Sequence, residues 1–398
     1  MITKSKIFGS QLLVVIMELI LIRIPYFDTQ RVIHKTYMYA SVLCVVFLFL
    51  LTIVNGYITK QFIWICAFFG MMFLSTFRES GLLYEYMRDN FSSLGACLLF
   101  YLWLNNNPKV LFKSVSVLQV FVYINLLTII MFPHGLYSTP NYDKNWFLGY
   151  KNIQIRTILP IVAISIISSY YKYNKCNFNV ILLILCSLLT FILNGSSTSI
   201  VGFAIFLLFF IIYRNRKLPK IFSLKNGIIV TILFFTLIVI LKAQYLFDFL
   251  IEDILHKDLT FTGRTIIWDR ILRLLSEKLM LGYGYLTSDH YVRLLKSPFF
   301  THPHNYILYI MMNGGLVLIA ILLIGYGFAN KTLKSTRDTI YSKTILFVLF
   351  SFLIMGLTEA ITGTILLYPM LILGMEADKI LKGERTEIQI KRRLKIKQ

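Results

Sequence analysis

Charged side chains are scarce in this sequence. Of its 398 residues, 15% are charged, 57% are hydrophobic, and the mean hydropathy is +0.71. Such a chain cannot hide its apolar side chains inside a soluble core. Apolar runs of roughly 17–25 residues, the length that crosses a bilayer, recur from one end to the other. The composition therefore excludes a soluble globular domain and predicts an all-α polytopic membrane protein.

Several familiar signatures are missing as well. The five cysteines show no metal-ligand spacing and fall in apolar runs or on the predicted cytoplasmic side, so we expect no disulfide. No Asp-x-Asp pair stands in a predicted outer loop, which argues against a metal-bridged pyrophosphate. No repeat with a period of roughly 20–50 residues is visible, which argues against a solenoid. The first apolar run lacks a small-residue cleavage site, so we expect it to remain as an anchor.

The apolar runs predict about twelve transmembrane helices. They lie at 7–24, 37–55, 61–77, 90–105, 110–132, 154–171, 179–193, 199–213, 227–242, 305–329, 343–358 and 361–375. We therefore divide the chain into four parts: a bundle of nine helices at 1–242, one large extracytoplasmic loop at 243–304, C-terminal helices at 305–375, and a basic cytoplasmic tail at 376–398.

The basic residues predict the orientation of this bundle. Lysine and arginine number 40 against 19 acidic residues, a net charge of +21. With both termini in the cytoplasm, the basic clusters at 214–225 and 331–343 and the tail all face inward. The charge then signals topology and attraction to anionic membrane lipid, and nucleic-acid binding is not expected. All six histidines fall on the outer side.

The outer loop 243–304 is too long to be a simple connector. Its periodicity predicts amphipathic helices at 245–257 and 265–279, and two glycines, Gly282 and Gly284, end the second helix. The apolar face of that second helix is expected to carry Ile266, Ile267, Ile271, Leu274 and Leu275.

Motifs in and around this loop resemble the O-antigen polymerase and O-antigen ligase superfamily. Gly263-Arg264 precedes the amphipathic helix, and "HPHN" opens a span in which Gly315 lies ten residues after Asn305. The segment "WFLGYKN" at 146–152 is similar to an outer-loop segment of polysaccharide polymerases. Two positions depart from the pattern: Leu318 replaces a small or polar residue, and "NGSSTS" lacks the arginine of a third segment. The resemblance covers roughly 146–315.

This resemblance implies transfer of a glycan from undecaprenyl pyrophosphate to a hydroxyl group, without metal or cofactor. Arginine binds phosphate through paired donors, which suits Arg264 and, less directly, Arg270 and Arg273. An imidazole accepts protons near neutral pH, so His304 is the predicted base, and Asn305 is expected to hold either its ring or the sugar substrate. The implied partners are the lipid-linked oligosaccharide, and a flippase and a chain-length regulator of the same pathway.

Each remaining candidate has a plainer explanation. Trp268 can bind sugar or anchor the helix at the membrane interface. Arg270 and Arg273 can bind phosphate or pair with Asp269 and Glu277 on the same helix, whereas Arg264 has no such partner nearby in sequence.

Further candidates lie outside that helix. His302 can assist His304 or simply cap the span. Lys151 and Arg156 can contact phosphate or extend to the lipid headgroups. Glu359 is expected in a solvated turn, and Glu18, inside a span, calls for a partner or a function.

The function that these features favour is polymerisation of lipid-linked repeat units at the outer face of the bacterial cytoplasmic membrane, in capsule, exopolysaccharide or O-antigen synthesis. A ligase that transfers the same glycan to a lipid acceptor is the alternative within the superfamily. A flippase for lipid-linked sugars is the alternative of another class. A flippase should show internal repeats and charged residues near the bilayer midplane, whereas this sequence gathers its polar residues in one outer loop.

Overall fold

The computed structural model describes residues 4–140, 142–243, 263–361 and 366–384, and they form a mostly helical bundle. The helices before the large loop are α1 (Lys4–Gly9), α2 (Gln11–Leu21), α3 (Arg31–Val54), α4 (Lys60–Ser75), α5 (Leu83–Asn106), α6 (Pro108–Met131), α7 (Lys151–Tyr173), α8 (Phe178–Leu193), α9 (Ser197–Tyr213) and α10 (Leu224–Phe235). Those that follow are α11 (Arg264–Glu277), α12 (Ser288–Leu295), α13 (Tyr306–Ser335), α14 (Ile340–Met355), α15 (Leu367–Met375) and a last helix at 377–384.

A small antiparallel sheet corrects the expectation of a purely helical chain. Its strands are β1 (Tyr137–Thr139), β2 (Tyr142–Trp146) and β3 (Gly149–Tyr150), in the order β1-β2-β3. The "WFLGYKN" segment forms the turn between β2 and β3 and the start of α7. Gly149 has φ +87°, a value that favours glycine, and the Trp146 indole donates to the carbonyl oxygen of Phe132 at 2.8 Å. The segment is therefore a tight hairpin that fixes the entry to α7.

Five helices in the described residues are long and apolar enough to cross a membrane. They are Val32–Val54, Lys60–Ser80, Pro108–Met131, Lys151–Tyr173 and Tyr306–Ser335. Five shorter apolar helices stand at other predicted spans. The helix of the last predicted span, α15, has nine residues, or about 14 Å at 1.5 Å per residue, less than half of a ~30 Å hydrocarbon core. The chain is a multi-pass membrane protein, and the count of twelve spans stays a prediction.

The buried centre of the bundle is built around α15. All nine of its residues are buried, and it packs against α5, α13 and α14. Nearly every residue of α14 is buried as well. Because apolar surface withdrawn from water and lipid packs at near-crystalline density, this centre is the rigid frame on which the ends of α7, α13 and α14 are held.

The segment that follows α11 crosses a break in α13. Gly315 has φ +60°, and a Cβ there would lie 2.3 Å from the backbone of Met280. This close approach lets the amide of Leu316 donate to the carbonyl oxygen of Leu279 at 3.0 Å and the amide of Tyr283 donate to that of Met312 at 2.7 Å. The glycine of the motif therefore joins the outer loop to α13 through backbone hydrogen bonds.

The described part of the outer loop contains two helices. The predicted helix at 265–279 is confirmed as α11. Ile266, on its predicted apolar face, is 47% exposed, whereas Thr265 and Trp268, which were not placed on that face, are buried. The amphipathic α12 was not predicted from the sequence, and the predicted helix at 245–257 lies outside the described residues.

Candidate active site

Polar residues from distant parts of the chain meet at one end of the bundle. Ion pairs join the end of α2 to the start of α5 and the start of α11 to the turn after α14. The side chain of Lys151 at the start of α7 donates to the carbonyl oxygen of Gly195 in the α8–α9 turn at 3.3 Å. The sequence analysis assigned all of these segments to the same side of the membrane. Their common location therefore agrees with the predicted order in which successive helices cross the membrane.

The His-Pro-His turn lies just before α13. The rings of His302 and His304 pack against each other with centroids 3.7 Å apart and their planes tilted by 36°. His304 has φ +49°, a left-handed conformation that is uncommon for residues other than glycine. The indole nitrogen of Trp268 donates to the carbonyl oxygen of Pro303 at 3.0 Å. Trp268 is 1% exposed, so it supports this turn and does not offer its ring to a sugar.

Asn305 fastens the same turn to the bundle. Its side-chain oxygen accepts from the amide of Leu308 at 3.0 Å and so caps α13, while its side-chain nitrogen donates to the carbonyl oxygen of Leu357 at 2.9 Å. Asn305 is fully buried. Of the two roles predicted from the sequence, holding the ring of His304 or holding the sugar, the position of Asn305 favours the first.

Arg264 has a partner that its neighbours in sequence did not reveal. Its guanidinium donates to Glu359 Oε1 at 3.1 Å, and the Glu359 side chain is 7% exposed. The side-chain amide of Asn152 also donates to this oxygen, at 3.4 Å. Glu359 is thus a buried carboxylate held by two donors, and the expectation of a solvated turn was wrong.

A chain of hydrogen bonds continues from Asn152 into the bundle. The Ser196 hydroxyl donates to Asn152 Oδ1 at 2.8 Å, and the side-chain amides of Asn194 and Asn125 both donate to Gln154 Oε1, at 2.9 and 3.0 Å. Buried amides keep their geometry because each lost partner costs free energy. The "NGSSTS" turn, which lacks the family arginine, therefore serves to position the Asn152–Glu359 side of the site.

Arginines and burial together keep the histidines neutral. Burial, then Arg264 and then Arg156, lowers the pKa of His304 from 6.5 to about 4. Burial, together with His304 and the same arginines, holds the pKa of His302 well below its usual range. The Nδ1 atom of His304 is buried and has no hydrogen-bond partner among the described residues. At neutral pH both imidazoles are therefore uncharged, and one nitrogen of His304 is available.

One grouping in this site has the ligand types of a metal centre. His302, His304 and Glu359 each bring one potential ligand atom within 4.8 Å of the others. The chemistry around them fits a cation poorly, because Arg264 already pairs with Glu359 and two arginines act on both imidazoles. A site whose nearby charges disfavour imidazolium also disfavours a divalent cation. The surroundings suit an anion better.

His302 also lines a cavity of about 720 Å³, which we call the polar cavity. This volume is within the roughly 300–1,000 Å³ typical of small-molecule sites. Its charged lining residues are Arg23, Asp28, Glu85, Arg88, Asp89 and Asp289. Asp89 contacts three other side chains in one wall of this cavity. Arg23 and Arg88 lie 3.6 and 2.6 Å from its oxygens, and the Tyr285 hydroxyl donates to it at 2.5 Å. The cavity offers hydroxyl-binding groups of both kinds, donors and acceptors.

Three predicted site residues remain, and their contacts are mainly with other parts of the protein. Arg270 donates to the carbonyl oxygen of Leu295 and lies over the ring of Phe300, so it joins α11 to α12. Arg273 is exposed on α11. Within the described residues neither arginine forms the expected ion pair with Asp269 or Glu277, and Asp269 pairs with Lys242 at 2.7 Å instead. Arg156 is 7% exposed, and its field acts on the histidines.

Comparison with known sequences agrees with this geometry. The sequence model of the O-antigen ligase family matches residues 182–323. The resemblance to the O-antigen ligase and polymerase superfamily is confirmed. No curated protein and no solved structure matches the chain. The family match supports a ligase- or polymerase-type function in surface-polysaccharide synthesis. Members of that family are membrane glycosyltransferase-like enzymes that act on lipid-linked oligosaccharides.

The match covers only part of the candidate site. Arg264, His304 and Asn305 lie within it, whereas Asn152 and Glu359 lie outside and were not among the predicted site residues. A sequence signal for Glu359 exists: it is one acid between two apolar runs, where an unpaired charge is costly.

Proposed function

We propose that the chain polymerises oligosaccharide repeat units carried on undecaprenyl pyrophosphate at the outer face of the cytoplasmic membrane. One observation carries this proposal: buried His304, whose Nδ1 has no hydrogen-bond partner among the described residues, feels the positive charges of Arg264 and Arg156, and the adjoining His302 lines the polar cavity. The arginine side suits a diphosphate, and the polar cavity suits a saccharide. His304 would therefore stand between donor and acceptor.

In this reaction the donor diphosphate binds on the side of Arg264 and Arg156. The planar guanidinium groups bind phosphate oxygens through paired donors. Glu359 holds Arg264 in place before the donor arrives, and it lowers the cost of keeping a buried cation without its anion. As the bond from the anomeric carbon to the diphosphate oxygen breaks, these cations stabilise the charge on the leaving lipid diphosphate.

His304 takes the proton of the acceptor hydroxyl as that oxygen bonds to the anomeric carbon. With a pKa of about 4 the imidazole is neutral but weakly basic. Bound diphosphate adds negative charge beside it and so raises the pKa of His304 toward the range where a base is effective. The base thus gains strength when the donor is present. The ring of His302 packs against that of His304 and so orients it.

The acceptor saccharide occupies the polar cavity. Its lining mixes carboxylates, guanidinium groups and tyrosines, which suits the hydroxyl groups of a sugar and not an acyl chain. A polymerase and a ligase share this donor chemistry, and polymerisation remains the proposal from the resemblance. A flippase fits less well, because the described polar groups around His304 gather at one end of the bundle.

Two experiments test this assignment. A deletion strain should lose the ladder of surface glycan and keep one attached repeat unit. Loss of all attached glycan, with lipid-linked polymer accumulating, would indicate a ligase, and absence of outward-facing lipid-linked sugar would indicate a flippase.

With purified protein and lipid-linked donor, His304→Ala should lower turnover by roughly 10²–10⁴-fold, the usual contribution of a positioned base. Donor binding should change little, and His302→Ala should have a smaller effect. The rate should survive a chelator. A near-normal rate for His304→Ala would reject the base, and loss of activity with the chelator would favour a metal at His302, His304 and Glu359.

A further inference from the structure

We propose that the end of the bundle opposite the candidate active site contains a binding site for the phosphate headgroup of an anionic membrane lipid. The site is a cavity of about 430 Å³, which we call the basic cavity. Its walls are the segment 218–226, the C-terminal part of α13 and the start of α14. This inference does not depend on the proposed transfer reaction.

The charge of the basic cavity is one-sided. Lys220, Lys225, Lys334 and Arg337 line it, and no carboxylate does. The nearby Asp338 accepts a hydrogen bond from the amide of Leu218 at 3.0 Å. Within the described parts of the chain, none of the four lining cations forms an ion pair with an acidic side chain. Four converging positive charges favour a phosphate group.

The walls of the basic cavity are tied together by hydrogen bonds across the helices. Arg337 donates to the carbonyl oxygen of Leu218, and the amide of Lys225 donates to Asn330 Oδ1 at 3.1 Å. The ammonium group of Lys343 donates to the carbonyl oxygen of Arg216 at 2.7 Å. The segment 218–226 is therefore fixed against α13 and α14, so the cavity is a formed site and not a gap beside a loose loop.

Apolar side chains decide between a lipid and free phosphate. Leu218, Phe222, Leu224, Leu333 and Leu346 share the lining with the four cations. Apolar side chains do not stabilise free phosphate, whereas a lipid presents both a phosphate headgroup and the start of its acyl chains, which can pack against them. Basic pockets between helices at the membrane surface are typical sites for anionic headgroups. The combination therefore selects phosphatidylglycerol-type lipids over zwitterionic lipids.

The test compares two double variants of equal charge in purified full-length protein. Lys225→Gln with Lys334→Gln removes two cavity cations. Lys217→Gln with Lys331→Gln removes two exposed cations that do not line the cavity, one just before the segment 218–226 and one in α13. Native mass spectrometry measures the binding of phosphatidylglycerol and phosphatidylcholine, and thermal unfolding is followed with each lipid and with inorganic phosphate.

We expect wild type and the Lys217/Lys331 variant to retain phosphatidylglycerol in preference to phosphatidylcholine. The Lys225/Lys334 variant should bind phosphatidylglycerol roughly 30-fold more weakly, from the contribution of two lysines near a lipid surface. If both variants lost phosphatidylglycerol binding equally, a local site would be rejected in favour of diffuse electrostatic attraction to the basic surface. Equal protection by inorganic phosphate would reject a lipid ligand, and equal binding of both lipids would reject the headgroup preference.

Discussion

Binding of a diphosphate should draw a proton onto His304. The pKa of this histidine is about 4 in the free protein because of burial, Arg264 and Arg156, in that order. Burial persists on binding, so the anion reverses only part of the shift. A rise of one pKa unit corresponds to about 1.4 kcal/mol of interaction between imidazolium and phosphate.

The sign and size of the effect follow from these values. Because diphosphate binding raises the pKa of His304, binding takes up protons. This uptake occurs only at pH values around and between the pKa of the free protein and that of the complex. At pH 5, a rise from about 4 to about 5 takes His304 from ~9% to ~50% protonated, an uptake of ~0.4 proton per bound diphosphate. At pH 8 the uptake should vanish.

Isothermal titration calorimetry with farnesyl diphosphate measures this uptake. Titrations at pH 5 in two buffers of different ionisation enthalpy give the number of protons exchanged. Because the ligand exchanges protons of its own, the relevant quantity is the number of protons taken up by wild type minus the number taken up by His304→Gln. His134→Gln, which changes an exposed histidine, should match wild type. Identical proton exchange in wild type and His304→Gln would refute the coupling between diphosphate and this imidazole.

Three further outcomes are expected. Arg264→Ala should abolish chain extension while the protein still accumulates in the membrane, and Arg264→Lys should recover little, because lysine lacks paired donors; near-normal glycan ladders with lysine would indicate a simple charge role. Gly315→Ala should lower accumulation, since its Cβ would meet the backbone of Met280 at φ +60° and such strain costs about 1–3 kcal/mol or more, while Gly327→Ala, with open space around it, should accumulate normally. A reporter fused after Lys225 should be cytoplasmic and one fused after His134 extracytoplasmic; the reverse would overturn the orientation.

Local motifs predicted part of the candidate site but missed the acidic residue that pairs with its arginine. The His-Asn spacing to Gly315 singled out His304, and the position before α11 singled out Arg264. Glu359, which pairs with that arginine, lies 95 residues further along the chain. No local pattern reports such a contact. Trp268 shows the same limit, because its amphipathic helix suggested a membrane interface or a sugar site, whereas the folded chain buries it and joins it to Pro303 by a hydrogen bond.

The sequence by itself determined the class of molecule and the positions of most of the described helices, and it singled out Arg264 and His304 as candidate site residues. These follow from hydrophobic periodicity and from motifs, which depend on neighbours within a few turns of helix. Only the tertiary structure decided which polar groups meet: Asn152, Arg264, His304 and Glu359 come from four separate segments. Burial and long-range pairing set their charge, because the field at His304 depends on arginines brought beside it by folding and not on its neighbours in sequence.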